Sequence, residues 1–359
     1  MPESAVLVTG AGGFVGHHVV SLLRERGHPV KATDLPPVDL TYAAEQGAVI
    51  EQGDLMSHHF CCSLVEGCES VIHIAAAFDL SLRREVIESI NVGSTRSLAT
   101  AAARKGAGHF IQYSTCDVYG LKRHSPIVED EPKRPDCAYS ISKYLSELTA
   151  LGVMRQEGLP VSIIRPTFVY GPGAVYTARS FMVLPTLLKK YADRMPLPAG
   201  GPGINTIHVE DLAEATCAVL ETGPGPGGRA FNVADDSVMT GSDLIRLVME
   251  PFGVECAPEI GLPWAAIEVF ARAASLTPLP VIRAVNEFLA GRWDSIAFEN
   301  DLVPLLSPRI DRDFLGFLYG EHRYANDRLK SLGWSPKYPT FADGWPETVA
   351  WYRENRYIP

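Results

Sequence analysis

Near the start of the chain, Val6-Leu7-Val8 runs directly into Thr9-Gly10-Ala11-Gly12-Gly13-Phe14-Val15-Gly16, and helical periodicity follows at once. A strand that closes on glycines spaced three apart and opens straight into a helix has few folds available to it. Gly10 permits the tight turn, Gly13 lets backbone approach a pyrophosphate, and Gly16 allows helix and strand to pack closely. The exposed N–H groups of the helix N-terminus, at Phe14 and Val15, then face the phosphates. Glycines alone are weak evidence, and the strand–turn–helix context supplies their weight. Asp34 closes the next apolar run, where a carboxylate can accept hydrogen bonds from the adenosine ribose hydroxyls. A 2′-phosphate there would meet a like charge, and Leu35-Pro36-Pro37 offers no arginine to offset it. NAD(H) is therefore expected over NADP(H).

The apolar runs Ala5–Thr9, Pro29–Thr33, Ser70–Ile74, His109–Tyr113 and Val161–Ile164 alternate with helical stretches at Gly16–Arg26, Val92–Lys105 and Tyr139–Glu157. Continuously apolar strands separated by helices predict an α/β, Rossmann-type doubly wound parallel sheet covered on both faces. After Gly171-Pro172-Gly173 the rhythm breaks. A helix is expected over Ser180–Tyr191, and Ile207–Val209 and Phe231–Val233 read as strands returning to the sheet around a helix from Asp211 to Leu220. The expected division is a cofactor-binding domain from 1–173 and 205–235, with a smaller, mostly helical substrate-binding region from 174–204 and 236–359.

The net charge of −10, from 32 basic and 42 acidic residues, argues against a nucleic-acid or anionic-membrane surface. Seven cysteines without CxxC or Cys/His spacing read as reduced thiols, and the opening MPESAVLVTG lacks the basic n-region of a signal peptide. A cytoplasmic protein is expected. Its most apolar long stretch, Leu262–Ala290, is interrupted by Glu268, Arg272, Pro278, Pro280, Arg283 and Glu287, so no membrane span is expected, although peripheral contact stays open. His58 and His59 lack a third ligand, so no metal is expected either.

Tyr139-Ser-Ile-Ser-Lys143 sets a phenol and an ammonium on one helix face. The spacing is common, but here it follows Tyr113-Ser114-Thr115-Cys116-Asp117, which leaves a strand at the carboxyl edge where ligands bind in such sheets. An ammonium at ~5 Å, with an effective dielectric near 20, stabilises a phenolate by about 3 kcal/mol. Tyr139 can then exchange a proton with a substrate hydroxyl while hydride moves, with Thr115 orienting the same oxygen. Lys143 would also bind the nicotinamide ribose.

With these residues the chain resembles the extended short-chain dehydrogenase/reductase superfamily, which holds the NAD-dependent epimerases and dehydratases. TGAGGFVG at 9–16, Asp34, Gly53-Asp54-Leu55, Val71–Ala76, Asn91–Thr95, YSTCDVYG at 113–120, YSISK at 139–143, RPTFVYGPG at 165–173, Ile207–Leu212 and Phe231–Val233 carry the resemblance. It implies that Asp54 and Leu55 flank the adenine, that Ala75 and Asn91 line the cofactor cleft, and that His73 packs behind it. Sugar-nucleotide enzymes of the superfamily usually carry an asparagine where this chain has Phe168. They often place an arginine where it has Gly203-Ile204-Asn205, and the 4,6-dehydratases place Asp-Glu where it has Cys116-Asp117. These departures, Ala75–Leu80, and an apolar C-terminal set of Trp264, Ile267, Phe270, Leu276, Leu279, Val281, Ile282, Phe288 and Leu289 look more like the 3β-hydroxysteroid dehydrogenase-like and 2-alkyl-3-keto-acid reductase-like branch.

The leading expectation is an NAD(H)-dependent oxidoreductase of a bulky, largely apolar alcohol or ketone, steroid-like or 3-hydroxy/3-keto acyl. Beside it stand a nucleotide-sugar epimerase or related sugar-modifying enzyme, and a non-catalytic NAD-binding regulator. The apolar C-terminal set reads either as the core of the small domain or as a substrate lid or membrane contact. A homodimer through Val92–Lys105 and Tyr139–Glu157 is expected, because related enzymes often pair there.

Overall fold

The computed structural model describes residues 4–78, 83–225, 227–261, 263–310 and 319–359. Asp79, Leu80, Leu262 and the side chain of Leu279 lie outside the described residues. Seven strands form one parallel sheet: β1 (Ala5–Thr9), β2 (Val30–Thr33), β3 (Val49–Ile50), β4 (Cys68–His73), β5 (His109–Tyr113), β6 (Val161–Pro166) and β7 (Arg229–Val233). Their order is β7-β6-β5-β4-β1-β2-β3. The chain winds outward from β1 through β2 to β3, then returns to lay β4 on the other side of β1. The crevice at that reversal is where ligands of doubly wound sheets bind.

Every residue of β1, β2, β5 and β6 is buried, which explains their unbroken apolar reading. Helices α1 (Phe14–Glu25), α2 (Arg84–Arg104), α3 (Ala138–Glu157) and α4 (Val209–Thr222) cover the two faces. α2 starts eight residues before the expected Val92, its first turns carrying Arg84, Glu85 and Glu88 beside the buried Ile87. The two-residue β3 was too short to leave a pattern.

One expected strand joins a different sheet. Thr206–His208 pairs in parallel with Phe168–Tyr170, so this pair stands apart from the seven strands, whereas β7 does return beside β6. A second core gathers Tyr170, Phe181, Met182, Trp293, Phe341 and Trp345. It unites the helical stretch after Gly173, the end of α6 (Leu279–Glu299) and α7 (Phe341–Glu354).

The apolar C-terminal set behaves otherwise. In α5 (Trp264–Ser275) only Ala271 is buried, and Phe270, Leu276 and Phe288 are 70%, 81% and 62% exposed. Phe270, Leu276 and Phe288 are therefore not the core of a small domain, whereas Leu289 packs against the second core that Trp293 and Ile296 enter. Among the described residues no single helix is long and apolar enough to cross a membrane; α5 and α6 pass that test only jointly, across a 102° bend.

Candidate active site

The glycine turn is built by close backbone approach. Gly10 sits at φ +68°, and a Cβ there would lie 2.8 Å from the Ala75 nitrogen. At Gly16 a Cβ would lie 2.0 Å from the Gly10 carbonyl oxygen, so α1 can pack this tightly only through glycine. Gly13 supplies no side-chain cap to α1, whose first N–H groups stay directed at the crevice. Asp34 accepts from the Gly12 N–H at 3.0 Å and the Leu35 N–H at 2.8 Å, which ties the carboxylate to the turn. Over this turn and the carboxyl edge of the sheet lies a cleft of about 1740 Å³. Gly10, Gly13, Phe14, Val15, Gly16, Asp34, Asp54, Leu55 and Ala75 line one side of it, and Thr115, Asp117, Tyr139 and Phe168 line the other.

Thr115 leaves β5 and caps a short 3-10 turn, Cys116–Tyr119, accepting from the Asp117 N–H at 3.2 Å. Tyr139 lies in the first turn of α3, and Lys143 one turn further on is 2% exposed. Asn91, expected in the wall, stands behind it. Its side chain accepts from the Ala77 N–H at 2.6 Å and donates to Ser142 Oγ at 2.8 Å, fastening the Ala75–Phe78 segment to α3. His73 joins this network. Thr95 gives its only hydroxyl proton to the Asn91 carbonyl, so His73 Nε2 donates to Thr95 Oγ1 at 3.2 Å and Nδ1 accepts from Thr9 Oγ1 at 2.8 Å. Burial, reinforced by the Lys143 charge, pushes His73 down to about 3 and keeps it neutral.

The electrostatics differ from the expected activated phenolate. Burial raises the Tyr139 phenol, and the Asp117 and Cys137 charges raise it further. Burial pushes the Lys143 ammonium down to about 8, opposed by Glu147. Desolvation is the largest influence on both groups, so the protein alone holds Tyr139 as a proton donor.

Among the departures, Phe168 lines the cleft and packs on Phe181 with ring centroids 5.1 Å apart. Ile204 is 5% exposed within the second core, so its position offers nothing to a ligand. Cys116 is 1% exposed and donates from Sγ to the Arg165 carbonyl at 3.1 Å, turned away from the cleft that Asp117 enters. Around Tyr139 the structure adds residues that sequence reasoning did not assign. Phe78 meets the Tyr139 ring edge-on at 4.7 Å and Tyr176 at 5.0 Å. Tyr319, His322 and Tyr324 enter the wall because 319–324 lies against Ile127 and Ile204 through isolated bridges, a pairing without local sequence signal. Asp117 could have been found from its place two residues after Thr115.

The residues present suit NAD. Besides the glycine cradle, the buried Ser114 hydroxyl in the cleft wall has no hydrogen-bond partner, and the Lys143 ammonium forms no hydrogen bond among the described residues. Metal-ligand groups of three or more His, Cys, Asp or Glu are absent among the described residues. His58 instead contacts the Ser97 carbonyl at 3.3 Å and Cys62 Sγ at 3.5 Å.

Residues 6–234 match the model of the NAD dependent epimerase/dehydratase family. The chain is 28% identical to a dTDP-glucose 4,6-dehydratase of Streptomyces griseus, over 98% of this chain and 94% of that protein. It is 31% identical to a dTDP-4-dehydro-6-deoxy-D-allose reductase of Streptomyces bikiniensis, over 69% and 81% of the two chains. Among solved structures, gox2253 superposes with a TM-score of 0.74 at 26% identity, covering 99% of each chain. The two Streptomyces relatives carry names of sugar-nucleotide enzymes, and the expected apolar alcohol or ketone finds no support in them. The chain belongs to the NAD-dependent epimerase/dehydratase family of extended short-chain dehydrogenases/reductases and is an NAD-dependent enzyme.

Proposed function

We propose that this enzyme transfers hydride at a secondary alcohol or ketone of a nucleotide-linked sugar, with Tyr139 as the proton-transfer group, and does not carry out 4,6-elimination of water. The observation that carries the reading is the division of labour after Thr115: Asp117 and Tyr139 enter the cleft, while Cys116 is turned into the core. The resemblance assigns the first elimination acid of the dehydratases to the position of Cys116. A buried thiol, raised well above its usual range by its surroundings, cannot donate a proton to a leaving hydroxyl across the cleft. The reductase name of the 31% relative supports simple hydride transfer.

In this reading Gly10, Gly13, Phe14, Val15, Gly16, Asp34, Asp54, Leu55 and Ala75 would hold NAD, which would supply the hydride acceptor or donor. Tyr139 OH gives its proton to the carbonyl oxygen of a keto sugar, or takes one from the hydroxyl in reverse. Thr115 Oγ1 holds the same oxygen, and Lys143 supplies charge beside the phenol and a donor to the cofactor ribose. Phe78, Tyr176 and Phe168 form an aromatic wall over the sugar. Residues 174–204 and 236–359 supply the substrate side, through Tyr176, Ser275, Tyr319, His322 and Tyr324.

The test is to incubate the purified enzyme with NAD or NADH and dTDP- or UDP-hexoses, the corresponding keto sugars, or a steroid ketone. Nicotinamide absorbance and product mass are followed. Turnover of a nucleotide sugar without loss of water is expected, and Tyr139→Phe should slow it by about 10³-fold. Turnover of the steroid ketone alone, or formation of a 4-keto-6-deoxy sugar, would overturn the proposal.

A further inference from the structure

Behind the cleft, and outside its wall, lies a buried ion pair that joins α3, β6 and the turn after Thr115. Arg165 on β6 is 4% exposed and Glu147 on α3 is 1% exposed. The guanidinium grips the carboxylate with both forks, Nε to Oε1 at 2.8 Å and Nη2 to Oε2 at 2.7 Å. Its remaining nitrogen, Nη1, donates to the Tyr119 hydroxyl at 2.9 Å and to the Glu129 carbonyl at 3.1 Å. Tyr119 in turn donates to Asn232 Oδ1 at 2.6 Å, which reaches β7.

The connections matter because of what each partner carries. Glu147 is one helical turn beyond Lys143 and two beyond Tyr139, on the same face of α3. Tyr119 ends the turn that Thr115 begins, and the Arg165 carbonyl accepts from Cys116 in the same turn. The residues that follow Arg165, namely Pro166 at the end of β6 and then Thr167 and Phe168, enter the cleft wall. Removing both charges from water offsets most of the attraction between them, so a buried pair of this kind adds little net stability. What a bidentate fork provides and a greasy contact of equal volume does not is a single register.

We propose that the Arg165–Glu147 pair is the positioning device of this site: it sets α3, and with it Tyr139 and Lys143, against the Thr115 turn. None of Arg165, Glu147 and Tyr119 lines the cleft, so they act through the residues that do. The charges support the geometry, since Glu147 counters the burial that discharges Lys143. The groups facing the pair are Cys116, Tyr119, Glu129 and Lys133, and those facing Tyr139 and Lys143 are Asp117, Cys137 and His73. None of these side chains is itself substituted below, although Arg165→Met also removes the donor to the Tyr119 hydroxyl and the Glu129 carbonyl.

The inference rests on the proton-transfer role proposed for Tyr139, and two readouts separate the failure of one from the failure of the other. The first needs no substrate: the ultraviolet titration of the phenol in the NAD complex, isolated by subtracting the Tyr139→Phe titration. The second is turnover of dTDP-hexose or its keto form. In Glu147→Gln, which keeps the shape and loses the charge, Lys143 discharges at lower pH, and the Tyr139 midpoint should rise by about one pH unit. In the double variant Arg165→Met/Glu147→Met the melting temperature should stay near that of the native enzyme, while turnover falls by at least about tenfold. Native titration in folded Glu147→Gln, or native turnover in a folded double variant, overturns the proposal. If the double variant does not fold, Glu147→Gln alone decides. If the native enzyme does not turn over dTDP sugars, the proposed function fails and the titration still judges the pair.

Discussion

The glycine turn and the α5–α6 arm are both rich in apolar residues, yet they obey opposite rules. At the turn, atoms are so close that a single methyl group would strike backbone, and Asp34 is held by two N–H groups. On the arm, Val269, Phe270 and Leu276 are between 68% and 81% exposed. The first region is fixed by backbone approach of Gly10 to Gly16 and Ala75 and by the Asp34 carboxylate, contacts close enough to demand glycine. The second consists of helices whose apolar sides the described residues leave largely uncovered. Apolar composition therefore identified the arm as important without indicating what it packs on, whereas glycine spacing specified the turn almost atom by atom.

The sharpest way to break the contrast is Gly16→Ala. Its Cβ would meet the Gly10 carbonyl oxygen at 2.0 Å, and rigid backbone cannot yield as a side-chain tip can. We expect destabilisation of about 1–3 kcal/mol by thermal melting, with NAD affinity down about 100-fold by calorimetry. Native affinity in this variant would show the turn to be looser than the structure has it.

A second region tests burial without close packing. Asp235 is 2% exposed and accepts from Thr206 and Ser237, yet burial pushes it up to about 7. A carboxyl that is easier to protonate in the folded state binds more protons folded than unfolded between its ordinary value near 3.8 and about 7. Its contribution to stability is therefore fully present below that window and is lost as pH rises through it. Comparing urea midpoints of the native protein and Asp235→Asn across the window reads this directly. Parallel curves would show that Asp235 titrates normally.

Smaller in effect is Asp34→Ala, expected to erode a preference for NAD over NADP of at least about tenfold, or roughly 1.4 kcal/mol. Since the carboxylate also holds Gly12, NAD affinity should fall as well. An unaltered cofactor ratio by competitive titration would remove Asp34 from the selectivity argument. Least of all, Phe270→Ser should move stability by no more than about 0.5 kcal/mol, as for exposed surface generally. A loss of several kcal/mol on melting would mean that the arm is covered in solution.

Much of this molecule was legible before any coordinates. The parallel sheet follows from runs such as Ala5–Thr9 and Val161–Ile164, whose neighbours in sequence dictate strand and turn. The cofactor loop and the Tyr139-x-x-x-Lys143 pairing are likewise local, because helical and extended geometry place residues at fixed spacing. Asn91 was expected to line the cleft and instead stands behind its wall, since a side chain that fastens Ala77 to Ser142 depends on partners 14 and 51 residues away. The apolar C-terminal set misled for the same reason: hydrophobicity registers a tendency to be covered, not by what.

What the sequence by itself determined, then, is whatever depends on residues a turn or two apart: the order of strands and helices, the glycine turn, the acid after β2, and the phenol–ammonium spacing. Only the tertiary structure decided that Cys116 faces the core while Asp117 faces the cleft, and that burial keeps Tyr139 protonated. It likewise decided that Tyr319, His322 and Tyr324 join the wall, and that Arg165 and Glu147, 18 residues apart, lock the reacting elements together. Desolvation and long-range hydrogen bonding arise from what surrounds a group in space, and chain order encodes that surrounding only through the folded whole.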